Sequence, residues 1–195
     1  MSKGEATRGS VLATALELAS EQGLAGVTIG RLADSCGMSK SGLFAHFASK
    51  EKLEVEILRE ALHRFVATVI SPALKAPRGA PRVRALFERW IEWSGALPGG
   101  CIFAQAVVEL DDKPGPARDF LVSSQKDWLE TLATAARIAV EEGHFRSDLD
   151  TKQFAHEVYC LGFGHHALWR LMRDSKFLAR TRRSFERLVA DATAR

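Results

Sequence analysis

Between Thr28 and Phe47 two short apolar-patterned segments follow one another with little more than Gly37 between them, and another segment starts at Ser49. A link that short forces the two helices it joins to pack at close range. The residue types fit that demand. Thr28 is an N-cap candidate for the first segment, whose inner face carries Ile29, Leu32 and Ala33, with Ala33 small where two helix axes approach. Gly37 permits the left-handed backbone of a sharp turn. Ser39 caps the second segment, and Met38, Leu43 and Phe47 anchor it onto the first. Ser49 caps the next helix, with Glu51 in its first turn to complement the helix dipole.

The rest of the chain reads as helices too. A first helix spans Glu5 to Gln22, with Val11, Leu12, Ala15, Leu16, Leu18 and Ala19 at helical spacing, and stops at Gly23. The helix from Ser49 runs long, towards Leu74. All six prolines lie between positions 72 and 116 and punctuate the middle of the chain. Ala76 to Pro81 is a turn; a helix follows through Val83, Leu86, Phe87, Trp90 and Ile91 towards Leu97, broken by Pro98-Gly99-Gly100. Cys101 to Leu110 is helical, and Pro114-Gly115-Pro116 opens a long amphipathic helix that closes at Gly143. Asp150 with Gln153 resembles a capping box ahead of Phe154, Val158, Leu161, His165, Leu168 and Met172, and a last helix spans about Lys176 to Ala192. The expectation is an all-α protein of about nine helices. Residues 1–48 form a three-helix helix-turn-helix domain, 49–195 form a larger helical domain, and the helix at 49–74 links the two.

At 195 residues, 46% of them hydrophobic, the chain is long enough for a packed core, which argues against disorder. No apolar run approaches the ~20 residues that cross a bilayer, and the start lacks the apolar stretch of a secretory signal, so a cytoplasmic protein is expected. Cys36, Cys101 and Cys160 lie far apart without finger spacing, which argues against disulfides or structural zinc.

In a helix-turn-helix the second helix enters the major groove of DNA, so its leading turn must be slim. Here that turn presents Ser39, Lys40, Ser41 and Gly42, small groups and one lysine that can approach base edges, with N-terminal amides free for a phosphate. Charge adds little. Residues 1–50 hold five basic residues against four acidic ones, a balance of +1, whereas Arg170 to Arg187 holds seven against two. That second cluster has no motif that would order bases and reads as a solvated helix face.

The run TIGRLADSCGMSKSGLFAHFASKEKL, Thr28 to Leu53, resembles the DNA-binding module of the TetR family of transcriptional regulators. The resemblance implies that Thr28 and Arg31 touch the DNA backbone, that Ser39, Lys40, Ser41, Gly42 and Leu43 face bases or adjoining phosphates, and that Phe44, His46 and Lys50 grip phosphate. The family commonly has tyrosine where this chain has Phe44, which removes a hydroxyl and about 1 kcal/mol of contact. It also implies a homodimer on a palindromic operator, acting as a repressor released by a small-molecule effector, with no cofactor, no metal, no membrane and no enzymatic activity.

Family members dimerise through their last two helices. Here these carry Phe154, Val158, Leu161, Gly162, His165, Trp169, Phe185 and Leu188, and the helix-weakening Gly162 and Gly164 fit the close approach of another helix. Phe87, Trp90, Trp93, Phe103, Gln105 and Trp128, with Glu109 nearby, suit an apolar effector pocket with a few orienting hydrogen bonds. The long helix from Ser49 is the lever. Cys101, after Pro98-Gly99-Gly100, is a candidate exposed thiol for sensing oxidants or electrophiles; Cys36 is packing. Two rival readings stand beside the regulator: a helical metalloprotein or enzyme using His156, Cys160 and His165, and a helical adaptor that binds only protein.

Overall fold

The computed structural model describes residues 3–194. The helices are α1 (Lys3–Gly26), α2 (Ile29–Cys36), α3 (Lys40–Phe47), α4 (Lys50–Phe65), α5 (Ser71–Ala73), α6 (Ala80–Trp93), α7 (Ile102–Leu110), α8 (Pro116–Glu141), α9 (Thr151–Met172) and α10 (Lys176–Ala192). Five residues, Val66–Ile70, form a π-helical segment between α4 and α5, so the expected long helix continues past Phe65 with altered hydrogen bonding. Among the described residues, β pairing is limited to an isolated bridge between Phe145 and Thr193.

Packing divides the chain into two units: the N-terminal stretch through Arg64 together with Gly95–Ser123, and Phe65–Ser94 together with Ser124 onward. In the first unit α1 buries Val11, Leu12, Ala15, Leu16 and Ala19 of the stripe its spacing predicts, and leaves Leu18 half-buried. Gly23 breaks the helix with φ +77°, where the sequence predicts a stop. The two amides after the break, Leu24 and Ala25, donate to the Glu109 carboxylate at 2.7 and 2.6 Å, so α7 satisfies groups that the kink leaves without helical partners. A second tie joins the same helices. Gln105 Nε2 donates to Ser20 O (2.5 Å) and Gly99 O (2.7 Å), and Gly99 N donates to Ser20 Oγ (3.0 Å). A Cβ on Gly99 would lie 1.4 Å from the Ser20 carbonyl oxygen, so only glycine fits there.

The second unit is built on rings. Phe87 on α6 stacks on Phe185 of α10 (centroids 3.8 Å apart, planes 5° apart), and Phe145 packs on Phe154 at 5.3 Å. Outside these rings, Arg84 pairs with Glu186 and Arg182 with Glu88, both between α6 and α10. Asp150 caps α9 through the Lys152 and Gln153 amides, 3.0 Å each. The Gln153 side chain reaches forward to Glu157 (2.9 Å), so the cap is Asp150 acting alone and the reciprocal half of the expected box does not form.

Candidate nucleic-acid interface

Each corner of the α2–α3 unit is set by a local cap that spans three to five residues. Thr28 Oγ1 accepts from Arg31 N (3.2 Å) and starts α2. Gly37 ends it at φ 62°, ψ 31°, with Met38 N donating to Ala33 O (2.9 Å), which satisfies a helix-end carbonyl and turns the chain sharply. Ser39 Oγ accepts from Gly42 N (3.1 Å) and starts α3; Ser49 Oγ does the same for α4 through Lys52 N (3.2 Å). Ala48, between α3 and α4, sits at φ +57°, a strained conformation for alanine that nothing in the sequence announces. Leu32, Ala33, Leu43 and Phe47 are buried and hold the pair together. Arg8 of α1 supports them from behind, donating to Glu56 (2.6 Å) with its guanidinium 5.4 Å from the centre of the Phe47 ring.

What the unit turns outward is short. Ser39, Lys40, Ser41, Phe44 and Ala45 are exposed on α3, and Thr28 and Arg31 on α2, with Gly42 half-buried between them. A side chain on Gly42 would come within 3.2 Å of Ser39 Oγ; without one, the first turn of α3 shows its backbone. Lys40 lies over Gly30, and among the described residues neither it nor Arg31 forms an ion pair. Phe44 is 51% exposed, an apolar ring on an otherwise polar face.

Three candidates are placed differently. Leu43 is fully buried, so it anchors α3 and has no surface to offer a base. Ser39 spends its hydroxyl on the Gly42 amide and on Ser41 Oγ (3.2 Å), which makes it a cap first. Lys50 donates to Ala25 O (3.2 Å) and lies 3.6 Å from Glu54, so its ammonium is tied to the end of α1 as well as exposed. Burial pushes the Glu54 carboxyl up, against the opposing pull of Lys50. His46 is half-buried beside the Phe47 ring.

The expected effector residues split. Trp90, Trp93 and Trp128 converge in the second unit: Phe65 stands edge-on to Trp93 (5.6 Å, 85°) and Trp128 (5.0 Å, 88°), and Trp128 meets Trp90 at 5.4 Å. Tyr159 packs on Trp90 and donates its hydroxyl to Gln125 Oε1 (2.9 Å). Phe65 and Tyr159 join this cluster outside the expected pocket: the sequence places Tyr159 on the dimer stripe, and Phe65 is the last residue of α4, where periodicity predicts core and nothing more. Phe87 instead belongs to the stack with Phe185. Phe103 and Gln105 lie on α7 in the other unit, where Gln105 braces Ser20 and Gly99.

Cys101 is 4% exposed at the start of α7, which removes the accessible thiol a sensor needs. The exposed cysteine is Cys160, 3.6 Å from His156 Nε2. His165 turns elsewhere, its Nδ1 3.2 Å from Thr181 Oγ1, so His156, Cys160 and His165 do not converge on one point. Burial lowers the His165 pKa, with Arg182 adding to it, and lowers that of His166 to about 4, with Arg170 and His165 adding to it.

Of the expected dimer stripe, Phe154, Val158, Gly162, His165 and Phe185 are buried within the single chain, so they lie behind any outer face. Gly162 is small because the Trp90 ring occupies the space: an added Cβ would lie 2.2 Å from it. Gly164 has open space beside it, and Leu161, Trp169 and Leu188 are half-buried. In the basic cluster, Arg182 pairs with Glu88 while Arg173 and Arg180 lie over the Trp169 and Phe177 rings.

Comparison with known proteins covers both parts of the chain. Residues 11–57 match the family described as bacterial regulatory proteins, tetR family, and residues 79–185 match the tetracyclin repressor-like C-terminal domain. The HTH-type transcriptional repressor KstR2 of Mycobacterium tuberculosis is 29% identical over 147 residues, covering 73% of this chain and 71% of that protein. Among solved structures, a TetR transcriptional regulator from Chloroflexus aurantiacus superposes with a TM-score of 0.88 at 23% identity, covering 97% of this chain and 96% of that one. AibR, solved in complex with isovaleryl coenzyme A and operator DNA, superposes with a TM-score of 0.78 at 20% identity over 95% of this chain and 99% of that one. At these identities the structural likeness establishes the shared fold.

Proposed function

The chain belongs to the TetR family of transcriptional regulators, and from that premise we propose that it is a cytoplasmic homodimeric repressor that holds a palindromic operator and releases it when a small molecule binds. Residues 1–48 are the reading head and 49–195 the effector-binding and dimerisation part. The observation that carries the reading is the leading turn of α3: Ser39, Lys40, Ser41 and Gly42 stand outward over buried Leu43 and Phe47 on a helix whose entry angle Gly37 fixes. A turn of that width can reach base edges in the major groove while Thr28, Arg31, Phe44 and His46 lie against the sugar-phosphate backbone. Among the described residues no helix is long and apolar enough to cross a membrane.

One head reads too short a site for much specificity, and a two-fold pair reads two half-sites. The face that supports pairing is the outer side of α9, where Leu168, Leu171 and Met172 are exposed in line with Gly164. Contiguous exposed apolar groups of that kind mark an interaction surface. Both KstR2, a repressor, and AibR, solved with isovaleryl coenzyme A and operator DNA, fit the same scheme for this chain.

Selection of bound sites from a random DNA pool, followed by gel shift, tests the reading. A recovered two-fold sequence should bind far more tightly than bulk DNA. Lys40→Ala should cost about 1–3 kcal/mol at that site if the lysine reads a base. Lys50→Ala should weaken all sequences alike with a shallower salt slope. Equal affinity of the wild-type protein for every fragment overturns the proposal.

A further inference from the structure

Trp93 and Trp128 are 4% and 6% exposed, yet neither indole Nε1–H has a hydrogen-bond partner. Buried polar groups in proteins are nearly always paired, and each one left unpaired costs about 1–3 kcal/mol. The two orphans belong to one cluster, since both indoles stand perpendicular to the same ring, Phe65. Their common neighbour is also where α4 passes into the π-helical segment Val66–Ile70, a distortion that helices tend to carry at functional sites. By contrast Tyr159, which packs on Trp90, has its hydroxyl satisfied by Gln125. Among the described residues, the buried side-chain nitrogens and oxygens without a partner are these two indoles.

We infer that this pair is the polar end of a ligand site, and that the ligand is an uncharged, largely apolar molecule carrying a hydrogen-bond acceptor oxygen, a ketone, ester or amide carbonyl, which takes the Trp93 and Trp128 indole protons. The inference rests on the effector-controlled reading above and names the chemistry of that effector. A carboxylate is the poorer fit. Phe65, Trp90, Trp93 and Trp128 carry no charge, so none of them replaces the hydration that an anion among them would lose. A hydrocarbon would leave both donors as they are. A carbonyl oxygen has two lone pairs in a plane, loses little on leaving water if both are used, and brings an apolar remainder suited to ring walls.

The test is nuclear magnetic resonance of the full chain labelled with 15N-tryptophan. Four tryptophans, Trp90, Trp93, Trp128 and Trp169, give four indole signals. Trp93→Phe and Trp128→Phe assign two of them. The probes are cyclohexanone and its shape-matched hydrocarbon, methylenecyclohexane. Cyclohexanone should move the Trp93 and Trp128 indole protons downfield in a saturable way, and methylenecyclohexane should not. Replacing either indole alone by benzothiophene keeps the ring and removes the N–H, so the core stays filled; it should lower ketone affinity about tenfold and leave hydrocarbon affinity within twofold.

Identical responses to the two probes, or no movement of either signal up to the solubility limit of the ketone, overturn the inference. The latter result is expected if both N–H groups point at the faces of the Phe65 ring. No DNA enters this titration. Failed site selection with a positive titration sinks the operator reading and keeps the ligand site, and selected DNA with a silent titration does the reverse.

Discussion

The reading head and the aromatic centre solve opposite problems. In α2 and α3 the stabilising contacts are backbone caps, Thr28 to Arg31, Ala33 to Met38, Ser39 to Gly42, around a small core of Leu32, Ala33, Leu43 and Phe47. Around Phe65 the stabilising contacts are ring faces and edges, Trp90, Trp93, Trp128 and Tyr159, and two indole donors are left over. A module whose polar groups are saturated keeps one shape, which suits docking onto a duplex of fixed geometry. A centre with unmet donors gains more from a bound acceptor than it gives up, and only a state-dependent gain of that kind lets a ligand shift an equilibrium.

Glycine substitutions break the comparison most sharply, because a close approach and a turn penalise a methyl group differently. In the aromatic unit, Gly162→Ala places a Cβ 2.2 Å from the Trp90 ring, and the ring has Trp128 and Tyr159 against it. Overpacking at a site that cannot give should cost about 3 kcal/mol. In the head, Gly37→Ala meets nothing within 4 Å and suffers only the left-handed backbone at φ 62°, about 1 kcal/mol. Urea unfolding midpoints read both. Equal losses would mean that Trp90 moves aside freely and that the aromatic unit is as adaptable as a surface turn.

The same contrast decides how much the sequence could say. The α2–α3 unit is legible because its determinants are neighbours in the chain: a cap and the amide it serves lie three residues apart, and the turn needs one glycine. The second unit joins residues far apart. Phe87 and Phe185 are almost a hundred positions distant, so a stripe of Phe154, Val158 and Phe185 read along its own helices looks like spare apolar surface when it is the inside of one chain. The sequence reads Gly162 and Gly164 as the close approach of another helix, whereas the space beside Gly162 is filled by the Trp90 ring of the same chain and Gly164 has nothing within 4 Å. Glu109 and Gln105, polar groups among aromatics, pointed to a pocket; their partners are backbone atoms of α1, about 85 residues away, and no local pattern announces them.

Acid should act on the second unit before it acts on the caps of the head. His166 stays neutral in the folded chain down to about pH 4, held there chiefly by burial. In the unfolded chain an imidazole protonates near pH 6.5. Between those values the unfolded state binds the extra proton, so stability falls as pH drops from 6.5 towards 4 and is flat with respect to this group above 7. His165, shifted in the same direction, adds to the slope. At pH 4 the loss from His166 is about 3 kcal/mol. Thermal unfolding of wild type and His166→Gln across that range should show a shallower decline in the variant, and parallel curves would show that the imidazole takes its proton without unfolding.

The smallest effect is the most diagnostic for the head, because it separates the cap from the contact. Ser39 Oγ holds the Gly42 amide and faces outward at the start of α3, so one atom serves both the fold and the DNA surface. Ser39→Ala removes the cap and should cost about 1 kcal/mol of stability. Ser39→Asp restores a capping oxygen, and its charge suits a helix N-terminus, so stability should return to within a few tenths of a kcal/mol of wild type. The same carboxylate would face phosphate if α3 lies in the groove. Operator affinity should then fall by more in the aspartate variant than in the alanine one, with the gap narrowing as salt rises. Wild-type affinity in the stable aspartate variant would place the start of α3 away from DNA, whatever the rest of the head does.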